Sequence, residues 1–225
     1  MSLSKIRNVN MTNLAEYIEE HSSEESLWLQ QIAHKTNTLL LNPHMLSGRV
    51  QGRLLSLLSH MIRPQRVLEL GTFTGYSALC LAEGLAEGGY VDTIEKNDEL
   101  EEMIKSNFSM SPYADRIHLH IGDALQVIEQ LRQHRTVEKQ YDLMFVDADK
   151  REYAAYYEAL KPLLRKGGYL LADNTLWDGH VIDKEYDKDK QTLGLRHFND
   201  MVAADKEVEK VIVPLRDGLT IIRKL

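Results

Sequence analysis

An α/β fold is predicted for this 225-residue chain: a doubly wound, mostly parallel sheet of seven strands, with an antiparallel C-terminal hairpin and extra N-terminal helices. Three observations predict it. From Arg66 onward, short apolar runs alternate with helix-like segments, the pattern of right-handed βαβ units. The last two runs flank Arg216-Asp217-Gly218, where Asp-Gly favours a tight hairpin and so an antiparallel pair. Residues 12–62 instead keep helical periodicity and contain no strand-like run.

Taken in order, Ser22 and Glu25 have capping-box spacing ahead of "SLWLQQIAHKTNTLL". "LNPHMLSG" reads as a loop, and "GRVQGRLLSLLSHMI" as a helix that Pro64 stops. The strands of the sheet are "RVLEL", "YVDTIE", "IHLHIG", "YDLMFVD" and "GGYLLAD", followed by "VEKVIVPL" and "LTIIRKL" in the tail. "YSALCLAEGLAEG" and "REYAAYYEALKPLL" are among the intervening helices. The polar run from Asp183 to Gln191 is expected to be a mobile loop. Length predicts a single domain over residues 1–225, with N-terminal helices to residue 62 and the α/β core from residue 66.

The formal net charge of -7 argues against a protein that neutralises many phosphates, so a small-molecule partner is expected and nucleic acid is not. No apolar run approaches the roughly 20 residues of a membrane span. The N-terminus lacks a signal-like apolar stretch, which makes cytoplasm the expected compartment. Cys80 is the only cysteine, in an apolar setting that suggests a buried packing residue.

Ligands of open α/β sheets bind beyond the carboxyl ends of the strands, so the residues ending each run carry the functional reading. In "ELGTFTGYS", Gly71 permits a tight strand-to-helix turn and Gly75 lets a ligand approach the backbone, unless both merely make a turn. Glu95 ends the second run 24 positions after Gly71, near the roughly 20-residue offset at which an acid binds ribose hydroxyls. The three-glycine phosphate fingerprint is absent, which points to a nucleoside without phosphates. After the third run, Asp123 and Ala124 stand where adenine would lie, with Asp123 equally able to cap "ALQVIEQLRQH".

Asp147 ends the fourth run, and Asp173 and Asn174 end the fifth. If those strands are neighbours, three oxygen-bearing side chains converge, and two buried carboxylates need a counter-charge. All-oxygen ligation suits Mg²⁺, Mn²⁺ or Ca²⁺. Taken singly, Asp147 and Asp173 read equally as helix caps or as partners of nearby Lys and Arg. Asp149 is placed to cap the helix that begins near Lys150. A cation at a helix N-terminus opposes the macrodipole; that position and a nearby divalent cation are both expected to lower the Lys150 pKa so that it accepts a proton, with a solvated surface lysine as the alternative.

Together "VLELGTFTGYSAL", Glu95, "GDAL", "FVDADK" and "LLADNTLWDG" resemble the class I S-adenosylmethionine-dependent methyltransferases, specifically the cation-dependent O-methyltransferases of the caffeoyl-CoA and catechol type. The similarity runs from "MLSGRVQG" to "DGLTIIRKL". It implies a Rossmann-like core that binds S-adenosylmethionine through Ser47, Glu69, Gly71, Gly75, Ser77, Glu95, Asp123, Ala124 and Asp147. It further implies Mg²⁺ (or Mn²⁺ or Ca²⁺) on Asp147, Asp173 and Asn174, and Lys150 with Asp147 as the catalytic pair. The implied substrates carry vicinal hydroxyls on an aromatic ring, which Trp177 would wall unless it is core packing, and the implied assembly is a homodimer. Arg49 and Arg53 depart from the acidic loop of plant members, and the polar loop after Trp177 is expected to help set specificity, with Lys184, Lys188 and Lys190 in it meeting either a coenzyme A phosphate or water. An NAD-dependent oxidoreductase and a non-catalytic nucleoside-binding regulator are the rival readings. An amino-methyltransferase acting on adenine is set aside, because the fourth run is followed by Asp-Ala-Asp and not by an Asn/Asp-Pro-Pro-aromatic motif.

Overall fold

A computed structural model describes residues 11–133 and 140–225. The leader reading rests partly on residues 1–10, and the end of "ALQVIEQLRQH" falls at residue 134; both lie outside the described residues. Three helices come first: α1 (Met11–Glu20), α2 (Leu27–Leu39) and α3 (Arg49–Ile62). The strands are β1 (Arg66–Leu70), β2 (Tyr90–Glu95), β3 (Ile117–Ile121), β4 (Tyr141–Val146), β5 (Leu164–Ala172), β6 (Val208–Val213) and β7 (Leu219–Lys224). Between them run α4 (Tyr76–Ala82), α5 (Glu101–Ser109), α6 (Ala124–Gln133), α7 (Tyr153–Leu160) and α8 (Lys190–Ala204).

All seven strands form one sheet in the order β3-β2-β1-β4-β5-β7-β6. The first five are parallel, and β7 runs antiparallel to both β5 and β6. Side chains alternate across a strand. Leu68 and Leu70 accordingly join a core layer with Val146, Tyr153 and Phe198 on one face, while Val67 joins Leu79, Leu55 and Phe108 on the other. Register sets the functional rim: Leu70 pairs with Ile94 and Val146, Val146 with Ala172, and Ala172 with Thr220. Because β7 is antiparallel, the β6–β7 connection arrives at the same rim as the carboxyl ends of β1, β4 and β5.

Three expectations are corrected. Ser22 caps nothing: α1 stops at Glu20, Ser22 Oγ donates to Ile18 O at 2.6 Å, and α2 starts only at Leu27. The acid of the supposed box, Glu25, instead accepts from the Tyr76 hydroxyl, a tertiary contact that capping would forfeit. The β6–β7 connection is longer than a two-residue turn, running from Pro214 to Gly218 with Arg216 at φ 48° and Gly218 at φ 90°. The polar run Asp183–Gln191 is strapped down. Arg196 donates to Val181 O at 2.9 Å and Asp183 O at 2.6 Å and pairs with Asp187, while Asp189 caps α8 by accepting from Thr192 N at 2.7 Å. No helix among the described residues is long and apolar enough to cross a membrane.

Candidate active site

A cleft of about 960 Å³ opens over the carboxyl rim. Its wall includes Ser47, Gly71, Ser77, Glu95, Ala124 and Asp147, together with Lys150, Asp173, Asn174 and Trp177. Glu69, Gly75 and Asp123 are not on that wall, nor are Lys184, Lys188 and Lys190. Arg49 and Arg53 serve structure elsewhere: Arg49 donates to Glu19 O and Ser22 O, and Arg53 pairs with Glu83 at 2.9 Å.

The two glycines do different work. Gly71 has φ 94°, and a Cβ there would stand 1.9 Å from the Asp147 carbonyl, so only glycine lets the ends of β1 and β4 approach this closely. Gly75 has φ 85°, but its missing Cβ faces the Phe108 ring at 2.4 Å. On that side it therefore serves the packing of α4.

Behind this turn Glu69 is fully buried. Thr93 donates to its Oε2 at 2.5 Å, and its Oε1 has no hydrogen-bond partner among the described residues. Burial pushes its pKa up to about 8 against the opposing pull of the Ser77 and Thr93 hydroxyls. Glu95, by contrast, is held open to the cleft: its carboxylate accepts from Phe73 N and Asn97 N, both at 2.8 Å. Asp123 fills its capping role, which is compatible with the adenine role, accepting from Gln126 N at 3.4 Å, and is paired with Lys96 at 3.1 Å, which holds its carboxyl below the usual range.

The condition set for the acidic pair is met, since β4 and β5 are neighbours with Val146 opposite Ala172. Asp173 is buried; its Oδ2 accepts from Gln51 Nε2 at 2.6 Å and its Oδ1 from Asn174 N at 2.9 Å. Burial, and then the negative charge of Asp147, push its pKa up to about 6. Asn174 adopts φ 57°, and its Nδ2 lies 3.5 Å from Asp217 Oδ2. Among the described residues no group of three His, Cys, Asp or Glu is arranged to hold a metal ion. Two carboxylates and an amide are a different donor set. All three donate oxygen, and the strained ionisation of Asp173 beside Asp147 is the imbalance a hard cation relieves.

Lys150 is buried, not a solvated surface lysine, with Nζ 2.6 Å from Asp147 Oδ1 and 3.1 Å from the Tyr153 hydroxyl. The lowered pKa expected from its place at a helix start is corrected for the protein's own groups. Burial does pull it down, but Tyr153 and Asp147 outweigh that and raise it. The Tyr153 hydroxyl in turn donates to Asp173 O at 3.0 Å, which ties β4, β5 and the start of α7 together. Asp149 caps the turn as expected, accepting from Arg151 N at 3.0 Å.

The family model described as O-methyltransferase matches residues 19–225. The chain belongs to the O-methyltransferase family. This O-methyltransferase is 34% identical over 187 residues to tricin synthase 2 of Oryza sativa subsp. japonica, covering 80% of this chain and 64% of that protein. It is 29% identical over 213 residues to probable caffeoyl-CoA O-methyltransferase 2 of Dictyostelium discoideum, covering 95% and 92% of the two chains. The crystal structure of the O-methyltransferase from Bacillus cereus in complex with SAH is similar at TM-score 0.87 and 28% identity, over 94% of this chain and 97% of that one. The enzyme is thus an S-adenosylmethionine-dependent O-methyltransferase of the caffeoyl-CoA and catechol type, and neither rival reading finds support.

Sequence reasoning missed several of this O-methyltransferase's rim residues. Tyr153 was within reach, because it follows Lys150 by three positions at the start of a helix, which places the two on one face. Gln51, Arg216 and Asp217 carry no local signal; only the meeting of α3, β5 and the β6–β7 connection brings them to the rim.

Proposed function

We propose that the enzyme moves the methyl of S-adenosylmethionine to one hydroxyl of a vicinal dihydroxy aromatic, such as a caffeoyl ester, a catechol or a flavonoid. The observation that carries this is the convergence of Asp147, Asp173 and Asn174 beside buried Lys150 on one cleft wall. In this reading the nucleoside lies over Gly71 and Ala124 with its ribose on Glu95. Ser47 and Ser77 meet the methionine side, with Glu69 buried behind them, and Trp177 flanks the aromatic ring.

Asp147, Asp173 and Asn174 would hold Mg²⁺, or Mn²⁺ or Ca²⁺. When bound, such a cation would supply positive charge that offsets the Asp147 and Asp173 carboxylates and lowers the pKa of a nearby phenol. Lys150, buried on the cleft wall beside Asp147, is the group placed to take the phenolic proton. The phenolate oxygen attacks the sulfonium methyl in line, the O–CH₃ bond forms as the S–CH₃ bond breaks, and S-adenosylhomocysteine leaves.

The same proposal treats residues 1–225 as one domain of a cytoplasmic homodimer acting on small molecules and not on nucleic acid. The decisive experiment is a product-resolved methylation screen of caffeoyl-CoA, caffeate, simple catechols and catechol flavonoids, with and without EDTA. Methylation of vicinal diols that EDTA abolishes is the expected result; equal turnover of monophenols would remove the chelate from the reading.

A further inference from the structure

Arg216 holds a conformation that side chains with a Cβ rarely adopt, φ 48°, in the connection between β6 and β7. Such strain persists where surrounding contacts over-determine it, and it gathers at functional sites. Here the contacts are unusual for an arginine. Among the described residues its guanidinium meets neutral oxygens: the carbonyls of Leu46, Ser47 and His44, and Gln51 Oε1 at 3.4 Å.

Gln51 sits on α3 with 1% of its surface exposed. A buried primary amide must satisfy both ends, and this one does so in only one orientation. Its oxygen faces the Arg216 donor and its Nε2 donates to Asp173 Oδ2 at 2.6 Å. The adjoining residue of the same connection works on the other side of the acidic pair. Asp217 O accepts from Leu176 N at 2.7 Å and Trp177 N at 3.1 Å, and its carboxylate faces the Asn174 amide. The β6–β7 connection therefore reaches both residues that end β5.

We propose that Arg216 and Gln51 are a positioning relay: Arg216 orients the Gln51 amide, and Gln51 aims the Asp173 carboxylate for the cation. The relay acts through Asp173 and so rests on the reading of Asp147, Asp173 and Asn174 as a cation site. A plain structural clamp would not need an amide between the guanidinium and the acid. Partners that orient a metal ligand typically change metal affinity about 10- to 100-fold when removed, and residues in one network lose less together than the sum of their separate losses.

The test uses the full chain as wild type, Gln51→Leu, Arg216→Gly, the double variant and Asp173→Ala. Mn²⁺ and S-adenosylmethionine affinities are measured by titration calorimetry, and kcat on a catechol. Each single relay variant should weaken Mn²⁺ binding about 10-fold or more, and the double variant should be little worse than the weaker single one. Gln51→Leu should leave S-adenosylmethionine affinity unchanged while kcat falls. Arg216→Gly removes backbone strain and lies at an exposed position, so it carries the test alone if Gln51→Leu does not fold. Mn²⁺ binding that Asp173→Ala abolishes but Arg216→Gly leaves at the wild-type value overturns the relay and leaves the cation site standing. Strictly additive losses also overturn the relay. Wild-type protein that binds no Mn²⁺ overturns the cation site and the relay together.

Discussion

Lys150 Nζ lies 2.6 Å from Asp147 Oδ1, three residues before it in the chain, and the pair is sunk into the rim where β1, β4 and β5 end. Breaking a buried pair by removing one partner leaves the other charge uncompensated. The two residues must therefore be tested as a unit, in folded protein, by substitutions that keep volume.

Lys150→Met should lower kcat by about a hundred- to ten-thousand-fold, the range of general acid–base catalysis, while S-adenosylmethionine affinity stays near wild type. The loss should shrink for a nitro-substituted catechol, which is already largely ionised near neutral pH. Steady-state kinetics on both substrates decide the matter. An equal loss on both, or a rise in KM alone, would make Lys150 an electrostatic or positioning group.

Chelation should abolish turnover, and Mg²⁺ or Mn²⁺ added in excess should restore it, because Asp147, Asp173 and Asn174 supply only oxygen. Activity assays after exhaustive EDTA treatment check this. Full activity in those assays would return the three residues to structural roles.

Glu95→Ala should weaken S-adenosylmethionine binding by about 1–3 kcal/mol, the scale of a charge-assisted hydrogen bond to the ribose diol. Its carboxylate also orders the Phe73 and Asn97 amides, so Glu95→Gln, which retains one acceptor oxygen, should lose less. Calorimetric titration that gave the same affinity for wild type and Glu95→Ala would take Glu95 out of the site.

Glu69 should give the ligand-free enzyme a pH-dependent stability. Its folded pKa is about 8, above the roughly 4.3 of an unfolded glutamate. Between those values the native state keeps a proton that the unfolded state has released, so this contribution is fully present below about pH 4 and is lost as pH rises through about 8. Glu69→Gln cannot ionise, so its melting temperature should gain on wild type across that window. Thermal melts from about pH 5 to pH 9 that run parallel for the two proteins would contradict the burial argument.

Fold class and strand order along the chain follow from local rules, which is why they were legible. Short apolar runs such as "YVDTIE" became β2 over the same residues, and Asp149 capped the turn it preceded. Glu95, Asp147, Asp173 and Asn174 were legible as rim residues because they follow or end strands, and Lys150 because it starts the helix after one, since the carboxyl ends of parallel strands share one rim. One local reading failed where a distant partner competed, as Tyr76 did for Glu25.

What the chain determines alone is therefore which residues stand at strand ends and which chemistry they carry. Tertiary structure decided their environment. Gln51 meets Asp173 across a separation of 122 residues, and Arg216 meets Gln51 across 165. The sign of the Lys150 pKa shift likewise depended on Tyr153 and Asp147 outweighing desolvation. Such balances depend on distances and burial that exist only once the sheet has closed, because Coulomb energies and desolvation costs vary with position and not with sequence spacing.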